Sequence, residues 1–212
     1  MDNSFSCSAC PQLVASRSQI VLPTWQSGAR LLAIGEAPGE KEDARGEGFV
    51  GTAGKTLDAL LVKHGLTRGP DYGVANIVRC RPPGNRKPNS PERDACLPHL
   101  ADFLNAVRPP LLLLVGGTAA NNFFGTGALW HHIQRVRLEG AYVALSEIAP
   151  PLRWRLEELD LDYWRRGLRC IPMPHTSGLA WNRRCPTAHR WSEIGDEMVR
   201  LAVQYLRGPI VA

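Results

Sequence analysis

The sequence predicts a three-layer α/β/α fold around a central, mainly parallel sheet of four strands. Three observations carry the prediction. Four short apolar runs read as buried parallel strands: Leu31 to Gly35, Val74 to Arg79, Leu111 to Gly116, and Cys170 to Met173. Each is followed by Gly, Pro or polar punctuation. Between them lie helical patterns at Leu57 to His64, Ser90 to Val107 and Thr118 to Phe124, the alternation that crossover helices produce.

Each element has a local reason. Ser90 opens the second of those helices as an N-cap, with Pro91 at the first helical position and acids in the first turn. Ala141 to Ile148 reads as an extra strand or hairpin, and Leu156 to Arg166 as a helix separated from it by Pro150 and Pro151. Ser192 to Leu206 places Ile194, Met198, Leu201, Ala202 and Tyr205 at helical spacing, as a packing helix does. In such sheets the ligand lies beyond the carboxyl ends of the strands. The loops starting at Glu36, Cys80, Gly117 and Pro174 should therefore build the site.

The chain has 212 residues, 44% hydrophobic and 21% charged. That suffices for one good core and is read as a single domain over 1–212, with the cysteine segment 1–28 contributing to a metal site and 130–169 as an insertion. No apolar run approaches the roughly 20 residues of a membrane span. The start, Met-Asp-Asn-Ser-Phe-Ser-Cys, lacks the basic and apolar regions of a secretory signal. A cytoplasmic monomer with no membrane partner is expected. The net charge of +5 suits a polyanionic partner, and arginine, which supplies most of the positive charge, suits phosphate through its planar fork.

Six cysteines in a chain of this length do not form a secreted disulfide framework. Cys7 and Cys10 are spaced to grip one metal centre, Cys80 follows a strand, and Cys96 lies in the next helix. Four thiolates of this kind chelate either zinc or an iron–sulfur cluster, and spacing does not choose between them. Cys170 and Cys185 read as buried or incidental thiols.

A glycine-rich turn, Gly35-Glu-Ala-Pro-Gly39-Glu-Lys-Glu-Asp43, follows the first strand. Such a turn brings backbone N–H groups close to a ligand. Gly54-Lys55-Thr56 looks like the end of a nucleotide-binding loop, but Phe49 stands where that motif needs glycine. The acids Glu36, Glu40, Glu42 and Asp43 would also repel a triphosphate. Glu36, just past a buried strand, is placed to meet a water or a cationic transition state.

Together these segments carry a resemblance. The glycine-rich turn, then Gly48-Phe-Val-Gly51-Thr-Ala-Gly54, then Asn76-Ile-Val-Arg-Cys80-Arg-Pro-Pro-Gly-Asn85-Arg resemble the family 4 uracil-DNA glycosylases, the iron–sulfur members of their superfamily. The resemblance runs from Cys7 to about Phe124 and resumes near Pro174. It implies a uracil-DNA glycosylase-like fold, a structural 4Fe–4S cluster on Cys7, Cys10, Cys80 and Cys96, and uracil-containing DNA, single- or double-stranded, as substrate.

It also implies roles. The base must be flipped out of the helix into a pocket. Phe49 matches the stacking phenylalanine, Asn76 the reader of the uracil edge, and Glu42 the side chain beside C5 that excludes thymine. Gly35 and Ala37 belong to the same base-binding turn. Glu36 would polarise the attacking water or stabilise the cationic sugar, and His175 would donate to the uracil O2. Leu179 matches the wedge that fills the gap left by the base. Thr176, Ser177 and Arg183 would contact phosphates, with Trp181 and Arg184 gripping nearby.

The sequence departs from the family at Thr176, where a proline is usual, which would loosen the loop and alter the wedge's pose. The connection 130–169 looks long. Asn85-Arg-Lys-Pro-Asn-Ser-Pro holds no histidine or insert of the kind that traps the abasic product in some relatives, so ordinary hydrolytic turnover is expected. The rival readings are a related glycosylase acting on hypoxanthine, xanthine or mismatched bases, a non-catalytic DNA-damage binder, and a zinc module without glycosylase activity.

Overall fold

A computed structural model describes residues 6–208. The chain runs α1 (Pro11–Ser16), β1 (Leu31–Gly35), α2 (Glu40–Arg45), α3 (Thr52–Lys63), β2 (Tyr72–Asn76), α4 (Ser90–Val107), β3 (Leu111–Val115), α5 (Gly117–Phe124), α6 (Leu129–Glu139), β4 (Tyr142–Val143), α7 (Pro150–Trp164), β5 (Leu168–Met173), α8 (Gly178–Trp181) and α9 (Trp191–Arg207). Among the described residues the sheet has five strands in the order β2-β1-β3-β5-β4. The first four are parallel, and β4 pairs antiparallel with β5.

The four apolar runs are thus the four parallel strands, and the fifth is a two-residue edge. Every residue of β1 and β3 is buried, so both faces of the sheet are covered, as parallel strands require. Helix α9 packs on β5 and β3, and α4 on α7. The apolar stripe of α9 buries Ile194, Met198, Val199, Ala202, Val203 and Leu206, each large side chain contributing about 1.5–3 kcal/mol.

Several element boundaries differ from expectation: β2 ends at Asn76 rather than Arg79, β5 starts at Leu168 rather than Cys170, α3 starts at Thr52 rather than Leu57, α7 runs Pro150–Trp164 rather than Leu156 to Arg166, and β4 is only Tyr142–Val143 of the expected Ala141 to Ile148. Strand β2 starts at Tyr72, earlier than its β-branched run, and Thr24 pairs with it: Thr24 and Val74 exchange backbone hydrogen bonds of 2.8 and 3.0 Å. A side chain at Gly73 would lie 2.2 Å from the Thr24 carbonyl. The cap of α4 is Asn89, not Ser90: Asn89 Oδ1 accepts from Glu92 N–H, and the Glu92 carboxylate accepts from Asn89 N–H, both at 2.9 Å. That reciprocal box satisfies two orphan donors; a cap at Ser90 would instead put Arg93, which has no acceptor, at the third helical position.

The long connection is an edge cover. Helix α6 leads into β4, which closes the open edge of β5, and Pro150 and Pro151 start α7, where they lose no helical hydrogen bond. Arg135 holds Glu147 in a two-point ion pair between α6 and the turn after β4.

Candidate active site

The site gathers at the carboxyl ends of β1, β2 and β5. β1 and β2 are in register with Gly35 opposite Asn76. Gly35, Glu36, Ala37, Glu42, Phe49, Asn76, His175 and Ser177 all line a cavity of about 380 Å³. So do Pro38, Gly39, Pro82, Asn85 and Arg86, which the sequence reading had not placed there.

Gly35 is the floor. A Cβ on it would lie 2.6 Å from Asn76 Oδ1 and 2.6 Å from Phe49 Cζ. Asn76 and Phe49 therefore close on one bare backbone atom, an approach open only to glycine.

Phe49 is buried and held at φ +58°, a left-handed conformation unfavourable for a bulky residue. Arg68 offsets the strain: its Nη1 donates to the Gly48 carbonyl and its Nη2 to the Phe49 carbonyl, both at 2.9 Å. Asp58 in turn accepts from Arg68 Nε at 3.1 Å and from the Tyr72 hydroxyl at 2.6 Å. Burial, then the Asp58 carboxylate, pushes the Tyr72 hydroxyl pKa up, keeping it a donor. This Arg68–Asp58–Tyr72 chain carries no sequence motif, because its members meet only when α3 packs beside β2. On the other side a Cβ at Gly54 would lie 1.9 Å from the Phe49 carbonyl.

Glu42 forms one wall. Its carboxylate accepts from Gly51 N–H at 2.6 Å and from Gly39 N–H at 3.1 Å, bridging the loops before α2 and before α3. The group is therefore a rigid partition rather than a mobile acid. Asp43, the next residue, is buried and points the other way, accepting from Ser18 N–H at 2.9 Å and so tying α2 to the cysteine-bearing segment.

Glu36 receives a hydrogen bond from the Thr118 hydroxyl at the start of α5. The loop at Gly117 thus orients the acid from behind instead of lining the cavity. Across the pocket His175 packs over Gly116, whose hypothetical Cβ would be 3.3 Å from the ring. Its Nδ1 accepts from Ser177 N–H at 3.1 Å. A backbone N–H can only donate, so the neutral ring carries its proton on Nε2 and presents it as a donor. Burial lowers the His175 pKa, with Lys87 acting in the same direction and Glu36 opposing. The ring is neutral at neutral pH.

The expected phosphate contacts divide. Leu179 is 88% exposed on α8, two residues beyond pocket-lining Ser177, and Arg183 is exposed nearby. Thr176 is a correction. It is 1% exposed, and its hydroxyl donates to the Ala53 carbonyl at 2.7 Å, so it cannot reach a phosphate. The residue that was expected to loosen the loop instead ties it to the start of α3. Trp181 is also turned inward: a Cβ on Gly195 would be 2.3 Å from its ring, so it anchors α8 to α9. Arg184 Nη1 donates to the Ala188 carbonyl at 2.7 Å.

The four paired cysteines lie together. Cys7 and Cys10 are half-buried, and Cys80 and Cys96 are buried. The Cys10 pKa is raised by burial first, then by Cys96, Cys7 and Cys80 in turn, which places the other three thiols near Cys10. Among the described residues no three His, Cys, Asp or Glu side chains converge on the point a single ion would occupy. Arg17 Nη1 donates to Cys80 Sγ at 3.0 Å, and its Nη2 to the Cys7 carbonyl at 2.7 Å. Cys170 and Cys185 are buried apart from this group.

Comparison with known proteins points to one superfamily. A family model described as the uracil DNA glycosylase superfamily matches residues 23–206. A type-4 uracil-DNA glycosylase of Thermotoga maritima is 33% identical over 177 residues, 84% of this chain and 79% of that protein. One of Archaeoglobus fulgidus is 39% identical over 119 residues, 56% of this chain and 59% of its own length. A type-5 uracil-DNA glycosylase of Pyrobaculum aerophilum is 28% identical over 197 residues, 77% of this chain and 87% of that protein.

Proposed function

The chain belongs to the uracil DNA glycosylase superfamily, and we propose that it is a DNA-repair hydrolase that cleaves the N-glycosidic bond of uracil in DNA and leaves an abasic site. The observation that carries the reading is the approach of Phe49 and Asn76 to the bare backbone of Gly35, in a cavity that Glu36 and His175 also line.

A base inside a duplex is unreachable, so it enters the cavity flipped out. Phe49 supplies the stacking face, worth on the order of 1–3 kcal/mol and indifferent to base identity. Asn76 reads the edge, where a misplaced donor leaves buried groups unpaired. The fixed Glu42 wall excludes a C5 methyl. As the bond breaks, the base gathers negative charge and the sugar positive charge. His175 donates Nε2–H to the departing oxygen as a neutral donor, while Glu36, oriented by Thr118, faces the cationic sugar and its attacking water. Ser177 and Arg183 hold the backbone, and Leu179 fills the vacated stack.

Cys7, Cys10, Cys80 and Cys96 would hold a 4Fe–4S cluster. The donor set is soft thiolate, which suits such a cluster, and the resemblance to the iron–sulfur glycosylases favours it over a single zinc ion. When bound, the cluster supplies structural cross-linking between the N-terminal segment, the end of β2 and α4. The continuous buried core, from Leu13 to Leu206, supports a single domain. No helix among the described residues is long and apolar enough to cross a membrane; thiols kept for a metal and a DNA substrate support a cytoplasmic setting.

The deciding experiment is base release by the purified, iron-loaded protein from single strands and duplexes holding uracil, with hypoxanthine, xanthine and thymine opposite guanine as comparison arms. Uracil release with an alkali-labile site is the expected result. Tight binding with no abasic product would identify a damage binder instead.

A further inference from the structure

The mechanism leaves Arg79 unused, and its surroundings are unusual. It is 8% exposed, yet its Nε and Nη2 are buried with no hydrogen-bond partner. Among the described residues it forms no ion pair. A buried guanidinium with unsatisfied donors is strongly disfavoured unless something negative fills the space.

That space belongs to the cysteines. Arg79 precedes Cys80 in the chain, and its backbone N–H donates to Cys96 Sγ at 3.4 Å. With Cys7 it lines a cleft of about 700 Å³, in which the acid Asp102 is already engaged by Arg155 at 2.7 Å. Arg17, the other cation at the thiols, has donors on Cys80 Sγ and the Cys7 carbonyl. Arg79 Nε and Nη2 remain buried without a partner. Four thiolates around an iron–sulfur core carry net negative charge, and hydrogen bonds to the sulfurs tune both retention and potential.

We propose that Arg79 is the buried counter-charge of the cysteine-held cluster, its unpartnered N–H groups donating to the cluster's sulfurs and setting its retention and reduction potential. The inference rests on the cluster reading above. It makes Arg79 a positioning residue for the metal centre, with no contact to DNA or uracil.

The test uses the cluster-loaded protein, Arg79→Met and Arg79→Lys. Iron and acid-labile sulfide per chain are measured, with the bleaching rate of the visible absorption under a chelator, the midpoint potential, and circular dichroism for the fold. Arg79→Met should fold, lose its cluster roughly 10- to 100-fold faster and show a lower potential, because a positive charge has left the reduced cluster's side. Arg79→Lys should fall between, keeping charge without the forked donors. A wild-type bleaching rate and potential in Arg79→Met would overturn the inference while leaving the cluster intact. Wild-type protein free of iron and sulfide would overturn the cluster reading, and this one with it. Should Arg79→Met not accumulate as soluble chain, Arg79→Lys decides: bleaching at the wild-type rate overturns the proposal.

Discussion

The Thr176 hydroxyl donates to the Ala53 carbonyl across 2.7 Å, joining the loop after β5 to the start of α3. Those loops carry His175 and the Phe49 turn, so one buried hydrogen bond ties together two sides of the cavity. Thr176→Val keeps the shape and strands the Ala53 carbonyl. It should cost about 1–3 kcal/mol of stability, measured by urea unfolding, and lower turnover at saturating DNA. An unchanged unfolding midpoint would show that the bond is dispensable.

Arg68 should matter although it lies behind the pocket. Arg68→Ala removes both donors that hold the Gly48 and Phe49 carbonyls, releasing a backbone whose left-handed strain is of order 1–3 kcal/mol. Binding to uracil-containing DNA should weaken while binding to undamaged DNA stays the same, as read by fluorescence anisotropy. Equal weakening of both would point to a general loss of fold.

Gly35→Ala is predicted to abolish recognition while leaving a folded chain. The new methyl would meet Asn76 Oδ1 and Phe49 Cζ at 2.6 Å. Displacements of about 1 Å at a reacting centre cost on the order of 100-fold. Single-turnover uracil release against a circular dichroism control tests it.

The His175 environment sets a pH dependence. Unfolded His175 binds a proton near 6.5, whereas burial and Lys87 hold the folded ring neutral to lower pH, against Glu36. Between those values the unfolded chain binds more protons, so the group's contribution to stability falls as pH drops through 6.5. Turnover should persist below pH 6.5 and decline only where the ring protonates and loses its Ser177 N–H bond. In His175→Gln that acid decline and that part of the stability slope should both vanish.

Glu36→Gln should lower turnover roughly 100- to 1000-fold with DNA affinity preserved, since it removes an interaction formed mainly in the transition state. Thr118→Val, which frees the acid without removing it, should lower turnover less. Rapid-quench kinetics at saturating enzyme separate the two; equal losses would mean that orientation by Thr118 is as important as the charge.

Much of the site was legible in sequence because its residues sit in short motifs at strand ends. Glu36, Glu42, Phe49, Asn76 and His175 fall beside one cavity for that reason. Thr118 and the Arg68–Asp58–Tyr72 chain were not legible, since each contact joins elements whose spacing depends on helix packing. Thr176 was misread because a hydroxyl beside the candidate histidine says nothing about whether it faces DNA or another loop.

The sequence by itself determined the parallel strands, through unbroken apolar runs that only a sheet buried on both faces can accommodate. It also determined the glycines and acids of the turn after β1, through local backbone chemistry. Tertiary structure alone decided which way the polar side chains of that framework point. It turned Thr176 and Trp181 inward and left Leu179 outside, and it left Arg79 buried with donors unmet. The reason is physical: burial of apolar runs follows from local pattern, but the partner of a polar group is whatever distant element the packing brings within about 3 Å.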